Sequence, residues 1–236
     1  MAFYSNYDML AYQYGVWSAY PQSLKDDIEI VVVDDGSPDG AAVDVERPEG
    51  LPKLRIYRFL EDIPWNQDAA RNLGVKAADY PWIFMTDMDH VLPATSLERL
   101  LAVKNKSKFY TFPRIDAPTL TPTVDASGNP KPHINTYAMT QALFWQVGGY
   151  DESYRGIYGT DGIYRRRLMS HAEEVQLEDA PIIRFSREII HDASTRTLAR
   201  KEGRDANALS DVKLRKATLG KPDDILLFQT PWTRAL

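Results

Sequence analysis

Apolar and polar positions along the 236-residue chain fall into alternating strand-like and helix-like segments. Ile28–Asp34 is a near-continuous β-branched run, which suits a strand buried on both faces of a parallel sheet. It ends in Asp34-Asp35-Gly36-Ser37-Pro38-Asp39-Gly40, a dense turn signal. Leu54–Phe59 and Trp82–Thr86 read as two further strands, the latter again running into acidic residues. Helical spacing links Leu10, Tyr14 and Trp17 within Tyr7–Ala19, and Ala70, Leu73 and Ala77 within Asn66–Ala78. Ser96 is placed to cap a helix running to Val103. Strand–helix–strand alternation predicts a sheet with helices on both faces. Ligands of such sheets bind beyond the carboxyl ends of the strands. The acidic clusters Asp34-Asp35 and Asp87–Asp89 fall at two of those ends.

Beyond residue 110 the pattern is less regular. Ile115–His133 is rich in Pro, Thr, Asp and Gly and reads as a long loop or hairpin excursion, the kind of segment that lines sites. Thr140–Val147 and Thr160–Ser170 are predicted helices, and Ile182–Ile190 a strand ending at His191. Residues 1–192 are expected to form one α/β domain. Residues 193–236 carry nine Lys/Arg against five Asp/Glu, and Leu198, Leu209, Val212 and Leu214 predict a helical tail packing on it. The apolar segment Ile225–Trp232 is expected to dock rather than dangle.

Composition narrows the function. Apolar residues at 44% supply a core and charged residues at 26% a soluble surface. A net charge of −5 lacks the basic footprint of a nucleic-acid binder. With no cysteine, disulfides and thiolate metal sites are excluded, which fits a reducing compartment. Met1–Tyr20 has no signal-peptide pattern and no stretch is long and apolar enough to span a membrane, so a cytoplasmic location is expected.

Four segments could carry chemistry. On an extended backbone Asp87 and Asp89 point the same way. Two neighbouring carboxylates repel unless a positive group lies between them, and oxygen ligands suit Mg²⁺ or Mn²⁺. His90 could add a ligand or cap the turn; a solvated acidic turn is the bland alternative. Asp34 and Asp35 could accept hydrogen bonds from a ribose or base, or simply stabilise a chain reversal. Asp68, Arg71 and Asn72 share one helix face. Arg71 suits a phosphate or carboxylate, though an Asp68–Arg71 pair on a solvated surface would explain the spacing equally well. Asp161, among glycines at a helix start, suits a general base or merely complements the helix dipole. His191 follows an apolar run, but His133 and His171 carry no functional signal.

In this order the segments resemble family 2 glycosyltransferases of the GT-A fold and the related galactosyltransferase C-terminal region. Ile30-Val31-Val32-Val33-Asp34-Asp35-Gly36-Ser37 is similar to the first nucleotide motif, and Ala70-Arg71-Asn72-Leu73-Gly74 to an Ala-Arg-Asn segment. Phe84–Asp89 is similar to the Asp-x-Asp strand end, and Gly148–Glu152 with Tyr158–Asp161 to the acceptor region. The match runs from about Phe3 to His191. It implies a mixed, Rossmann-like sheet flanked by helices, and a hexosyl-transferring enzyme using a nucleotide-diphosphate sugar, a UDP-sugar for preference, with Mn²⁺ or Mg²⁺. It further implies that Asp34 or Asp35 contacts the uracil or ribose and that Arg71 supports the base or diphosphate. Asp87 would touch ribose or metal, Asp89 and His191 would ligate the metal, and Asp161 would deprotonate the acceptor with inversion.

Two departures stand out. The first strand is reduced to Met1–Asn6, and Thr160 stands where an acceptor-binding glutamate is usual. Tyr158 and Trp145 could wall a sugar acceptor, which would be a glycan, a lipid-linked sugar or a small molecule. Arg196 and Arg200 could close over the diphosphate as a lid. A nucleotidyltransferase is disfavoured, since no glycine-rich basic loop lies near the N-terminus. A catalytically inactive sugar-nucleotide or glycan-binding domain remains the main alternative.

Overall fold

The computed structural model describes residues 1–157, 159–194 and 225–236. The chain opens with β1 (Ala2–Phe3), α1 (Tyr7–Ser18), α2 (Gln22–Asp26), β2 (Glu29–Asp34) and β3 (Lys53–Phe59). There follow α3 (Gln67–Ala77), β4 (Trp82–Met85), β5 (His90–Val91), α4 (Ala94–Leu101), β6 (Phe109–Thr111) and β7 (Arg114–Asp116). Then come β8 (Thr121–Pro122), β9 (Tyr137–Thr140), α5 (Gln141–Gln146), α6 (Asp161–His171), β10 (Glu174–Gln176), β11 (Ile182–Arg184) and β12 (Trp232–Arg234).

Among the described residues the strands form three four-stranded sheets, ordered β1-β2-β3-β12, β10-β6-β9-β4 and β5-β11-β7-β8. Sheets of mixed direction flanked by helices are the expected α/β architecture. The parallel ladder of β2 with β3 runs from Glu29↔Lys53 to Asp34↔Arg58 and carries Asp34 to the carboxyl edge. β1 extends it by only two pairs, Ala2↔Val33 and Phe3↔Asp34. β2 is fully buried only in its second half, Val32–Asp34; Glu29–Val31 are half-buried, contrary to a strand covered on both faces throughout.

Helix α1 buries Met9, Leu10, Gln13, Tyr14 and Trp17, the stripe its spacing predicts. Buried Gln13 aims inward because its amide donates to the carbonyls of Met88 (2.9 Å) and His90 (2.8 Å), tying the turn after β4 to the core. Helix α4 starts earlier than expected, after Pro93, and Ser96 lies inside it and donates to Pro181 O. Thr140 does cap α5, accepting from Leu143 N at 3.1 Å.

Two expectations need correction. The strand predicted over Ile182–Ile190 stops at Arg184 and a turn over residues 187–190 follows, because the ladder partner β7 ends at Asp116, opposite Arg184. Of the tail predicted to be helical, residues 225–236 contain no helix. They add β12 antiparallel to β3, and Trp232 packs edge-on against Tyr57 at 5.6 Å. Leu198, Leu209, Val212 and Leu214 lie outside the described residues. The 115–133 excursion is a hairpin of β7 and β8, closed by the bridges Val124↔Pro130 and Pro113↔Pro132.

Candidate active site

A cavity of about 610 Å³ opens at the carboxyl ends of β1, β2 and β4. Asp35, Asp87, Asp89 and Asp161 all line it. Residues more than a hundred positions apart meet here because the β2 and β4 ends, the start of α6 and the β8–β9 connection converge on one rim.

Arg71 organises the floor. Its side chain is 4% exposed and reaches Asp87 (2.8 Å), Asp161 (3.1 Å) and Asp68 (3.4 Å). The predicted Asp68–Arg71 pair therefore forms, but buried inside the protein and shared with two carboxylates. Burial pushes the Asp68 carboxyl up to about 7, against the pull of Arg71. On Asp87 burial pushes upward too, yet Arg71, with His133 and His90, prevails and holds it well below the usual carboxylate range. The Arg71 guanidinium also lies 5.1 Å from the Tyr150 ring centre.

The two residues of the Asp-x-Asp segment have different surroundings. Asp87 lends Oδ1 to Arg71 and Oδ2 to Asn135 Nδ2 at 3.1 Å. Asp89 Oδ1 lies 2.7 Å from His90 Nδ1. The segment is a turn rather than a continued strand, with His90 N bonded to Asp87 O at 3.1 Å. Met88 is buried beneath it. His90 stacks on His133 at 4.0 Å, and His133 Nε2 lies 3.6 Å from Asp87 Oδ2. Burial lowers the His133 pKa to about 4, so its imidazole is neutral at pH 7. His133 and Asn135, brought in by the connection to β9, had no signal in the sequence that local pattern could reveal.

Asp34 and Asp35 part company. Asp34 is fully buried and accepts from Ser37 N and Ala42 N, both at 2.9 Å, with Arg58 3.6 Å away. It is thus the chain-reversal residue, and its expected contact with a nucleotide is not available to it. Asp35 lines the cavity, its Oδ1 is buried with no hydrogen-bond partner among the described residues, and burial, against the lowering effect of hydrogen bonds from Asn66, raises its pKa well above the usual range. Gly36 between this pair and Ser37 has φ +76°, and a side chain there would strike the Glu61 carbonyl.

Asn72 explains why the Ala-Arg-Asn segment and Gly148–Glu152 occur together. Its amide donates to Tyr150 O and Glu152 Oε1, both 2.8 Å, and accepts from Tyr150 N at 2.8 Å. Glu152 in turn accepts from Gln229 N at 2.8 Å, docking residues 225–231 against the same unit. Thr160 is buried and donates to Asp68 Oδ2 at 2.8 Å, so position 160 faces inward rather than the cavity.

Two expected site residues lie elsewhere. His191 does not line the cavity; the turn after β11 carries it to α1, where it is 79% exposed and pairs with Asp8 at 2.8 Å. Asp192 next to it accepts from Asp8 N and Met9 N. Trp145 packs on Phe144 and Phe228, at 4.8 and 5.9 Å, away from the cavity. Tyr158, Arg196 and Arg200 fall outside the described residues.

The oxygen- and nitrogen-rich rim fits a divalent cation in donor type, and the partnerless buried atoms Asp35 Oδ1, His90 Nε2 and Asn135 Oδ1 mark a site built for a polar guest. The sequence profile of glycosyl transferase family 2 matches residues 13–158, more than half of the chain. The chain belongs to that family. The fold agrees. It is of the GT-A type, similar to that of TarS 1–349 of S. aureus in complex with UDP-GlcNAc (TM-score 0.64, 15% identity, 91% of this chain and 64% of that one). Similar too are GalNAc-T7 with UDP, GalNAc and Mn²⁺ (TM-score 0.60, 14% identity, 78% and 43%). The mannosyltransferase PcManGT from Pyrobaculum calidifontis in complex with GDP-Man and Mn²⁺ matches at TM-score 0.57 and 14% identity, over 92% and 68%. The chain thus spans less than two thirds of the TarS fragment it matches. No curated protein matches it by sequence. Among the described residues no helix is long and apolar enough to cross a membrane.

Proposed function

We propose that this family 2 chain transfers a sugar from a nucleotide-diphosphate donor to an acceptor hydroxyl. The observation that carries the reading is the guanidinium of Arg71, set behind the cavity wall, joining Asp87 and Asp161 at 2.8 and 3.1 Å while both carboxylates line one cavity. Asp87 belongs to the donor side at the end of β4, and Asp161 to the acceptor side at the start of α6. A guanidinium bonded to both fixes the two carboxylates relative to one another on the wall of the cavity.

In this reading Asp35 receives the nucleoside, a role that its partnerless buried oxygen suits. Asp89 is the chief metal ligand, since both oxygens of Asp87 already have protein partners. A bound Mn²⁺ or Mg²⁺ would supply charge neutralisation of the diphosphate. Asp161 takes the proton of the acceptor hydroxyl as its oxygen bonds to the anomeric carbon. The bond from that carbon to the diphosphate oxygen breaks, the nucleoside diphosphate leaves, and configuration inverts. A UDP-sugar or a GDP-sugar is the donor class, as structurally similar proteins hold UDP-GlcNAc or GDP-Man. A cytoplasmic setting fits such donors.

The test pairs binding with turnover. Calorimetry of UDP and GDP with and without Mn²⁺ should show metal-dependent binding that Asp89→Ala abolishes. Asp161→Asn should bind donor as the wild type does, yet lose at least a hundredfold in transfer or donor hydrolysis, the order expected for a general base. Normal turnover by Asp161→Asn would remove Asp161 from this role. Inward-turned Thr160 favours the alternative of a binding domain without transfer. Metal-dependent donor binding by the wild type without any hydrolysis would decide for that alternative.

A further inference from the structure

Asp68 stays out of the cavity, yet it holds both residues at the start of α6. It lies in the first turn of α3 and is 4% exposed, and neither it nor Thr160 lines the cavity. Its Oδ2 accepts from the Thr160 hydroxyl at 2.8 Å, and its Oδ1 from Arg71 Nη1 at 3.4 Å. The same Nη1 donates to Asp161 Oδ1 at 3.1 Å. Asp68 therefore reaches Asp161 twice, along the chain through Thr160 and across space through one guanidinium nitrogen.

The Thr160 bond is not the one local preference favours. A threonine at a helix N-cap ordinarily turns its oxygen to the free N–H groups of its own helix. Thr160 occupies the N-cap of α6, but its side chain makes no capping bond. Its hydroxyl goes instead to Asp68, 92 positions away. Local rules are broken in this way chiefly where function demands it.

Charge is as unevenly shared as the hydrogen bonds. Arg71 is one cation among three carboxylates. Asp87 takes its Nη2 at 2.8 Å, so Nη1 is what Asp68 and Asp161 divide. The charged and titratable groups that face Asp68 are Arg71 on its own helix, Asp161 and Arg167 of α6, and Tyr150 and Asp151 beyond α5. Burial is the largest influence, and it lifts the Asp68 carboxyl to about 7, so this group changes charge near neutral pH.

We propose that Asp68 is a positioning residue for Asp161. Ionised, it draws Arg71 Nη1 to itself and holds Thr160, which leaves the Asp161 oxygens free to take the acceptor's proton. Neutral, it yields Nη1 to Asp161, and the guanidinium then competes with the acceptor hydroxyl for the same oxygen. The inference rests on Asp161 as the base of the proposed reaction. It adds that turnover rises as Asp68 loses its proton, although Asp68 touches neither donor nor acceptor.

Asp68→Asn keeps the size, retains an oxygen for Thr160 and cannot ionise. Donor hydrolysis with Mn²⁺ is followed from about pH 5 to 9 over a panel of UDP- and GDP-sugars. Water here replaces the acceptor: its proton passes to Asp161 as its oxygen bonds to the anomeric carbon, and the nucleoside diphosphate leaves. Wild-type kcat should rise with pH through a midpoint near 7, with KM little changed. Asp68→Asn should keep KM within about twofold, lose about tenfold or more in kcat at pH 8, and lack that limb. Thr160→Ser, which keeps the hydroxyl, should follow the wild type, whereas Thr160→Val should lose kcat. A uniform drop in kcat with the limb intact would show mere structural support and overturn the proposal, as would unchanged kcat. Carbon-13 NMR of aspartate-labelled protein without nucleotide gives an independent readout. The Asp161 carboxyl carbon should shift through the Asp68 midpoint in the wild type and lose that step in Asp68→Asn; a step that persists would refute the coupling. Hydrolysis without the coupled step would sink this proposal and leave the glycosyltransferase reading standing. The coupled step without any hydrolysis would do the reverse, retaining the Asp68–Asp161 coupling.

Discussion

Replacing Arg71 by methionine keeps much of the side-chain volume and removes the charge. The structure then leaves Asp68, Asp87 and Asp161 around an apolar stem, with the side chains of Asp68 and Asp87 6% and 27% exposed. Breaking a buried ion pair from one side costs about 3–5 kcal/mol, because the abandoned charge stays desolvated. At this chain length that is a fall in Tm of about 6–20 °C. The loss should depend on pH. In the wild type Asp87 sits below the usual carboxylate range, so its contribution is fully present above the unfolded pKa of about 4 and is lost only in stronger acid. Without Arg71, the largest influence against burial is gone and only His133, His90 and the Asn135 hydrogen bond oppose it, so the folded-state pKa of Asp87 should rise above the unfolded one. The group then weakens the fold as pH climbs through that interval. Urea unfolding followed by tryptophan fluorescence should show a larger deficit for Arg71→Met at pH 8 than at pH 5. A deficit under 1 kcal/mol, or one that is constant across this range, would refute the view that Arg71 is the cation balancing buried carboxylates.

Further outcomes are expected. Asp68→Asn should flatten the decline of stability between about pH 4 and 7. In that window the folded chain, with Asp68 pushed up to about 7 by burial, holds a proton that the unfolded chain has released, and urea midpoints at pH 5 and 8 measure it. Asp34→Asn should cost about 1–2 kcal/mol, because one of the two side-chain oxygens that accept from backbone N–H groups becomes an NH₂ donor, with nucleotide affinity little changed; Asp35→Asn should weaken calorimetric nucleotide affinity at least tenfold. Gly36→Ala should lower stability by more than the roughly 1–2 kcal/mol of a left-handed residue alone, since the added carbon meets the Glu61 carbonyl, and a thermal scan would expose it. Asn72→Ala removes three buried hydrogen bonds that join α3 to Tyr150 and Glu152 and should cost about 2–4 kcal/mol in denaturant unfolding.

Local pattern, motif order and motif chemistry were legible in the sequence. The β-branched run over β2, the stripe of Leu10, Tyr14 and Trp17, and the strand ends bearing Asp35, Asp87 and Asp89 all follow from periodicity, which is a property of neighbouring residues. Asp161 at the start of a helix did too, as did the family these segments identify. Partnership was not legible. That Asp34 holds the turn while Asp35 faces the cavity depends on where the Ser37 and Ala42 amides arrive. His133 enters because a hairpin folds back over β4, and His191 leaves because the strand before it stops where β7 stops. Chain-local forces set which element a segment forms. Which side chains share a dielectric, a hydrogen bond or a cavity is set by contacts distant in sequence, and those exist only after the elements have packed.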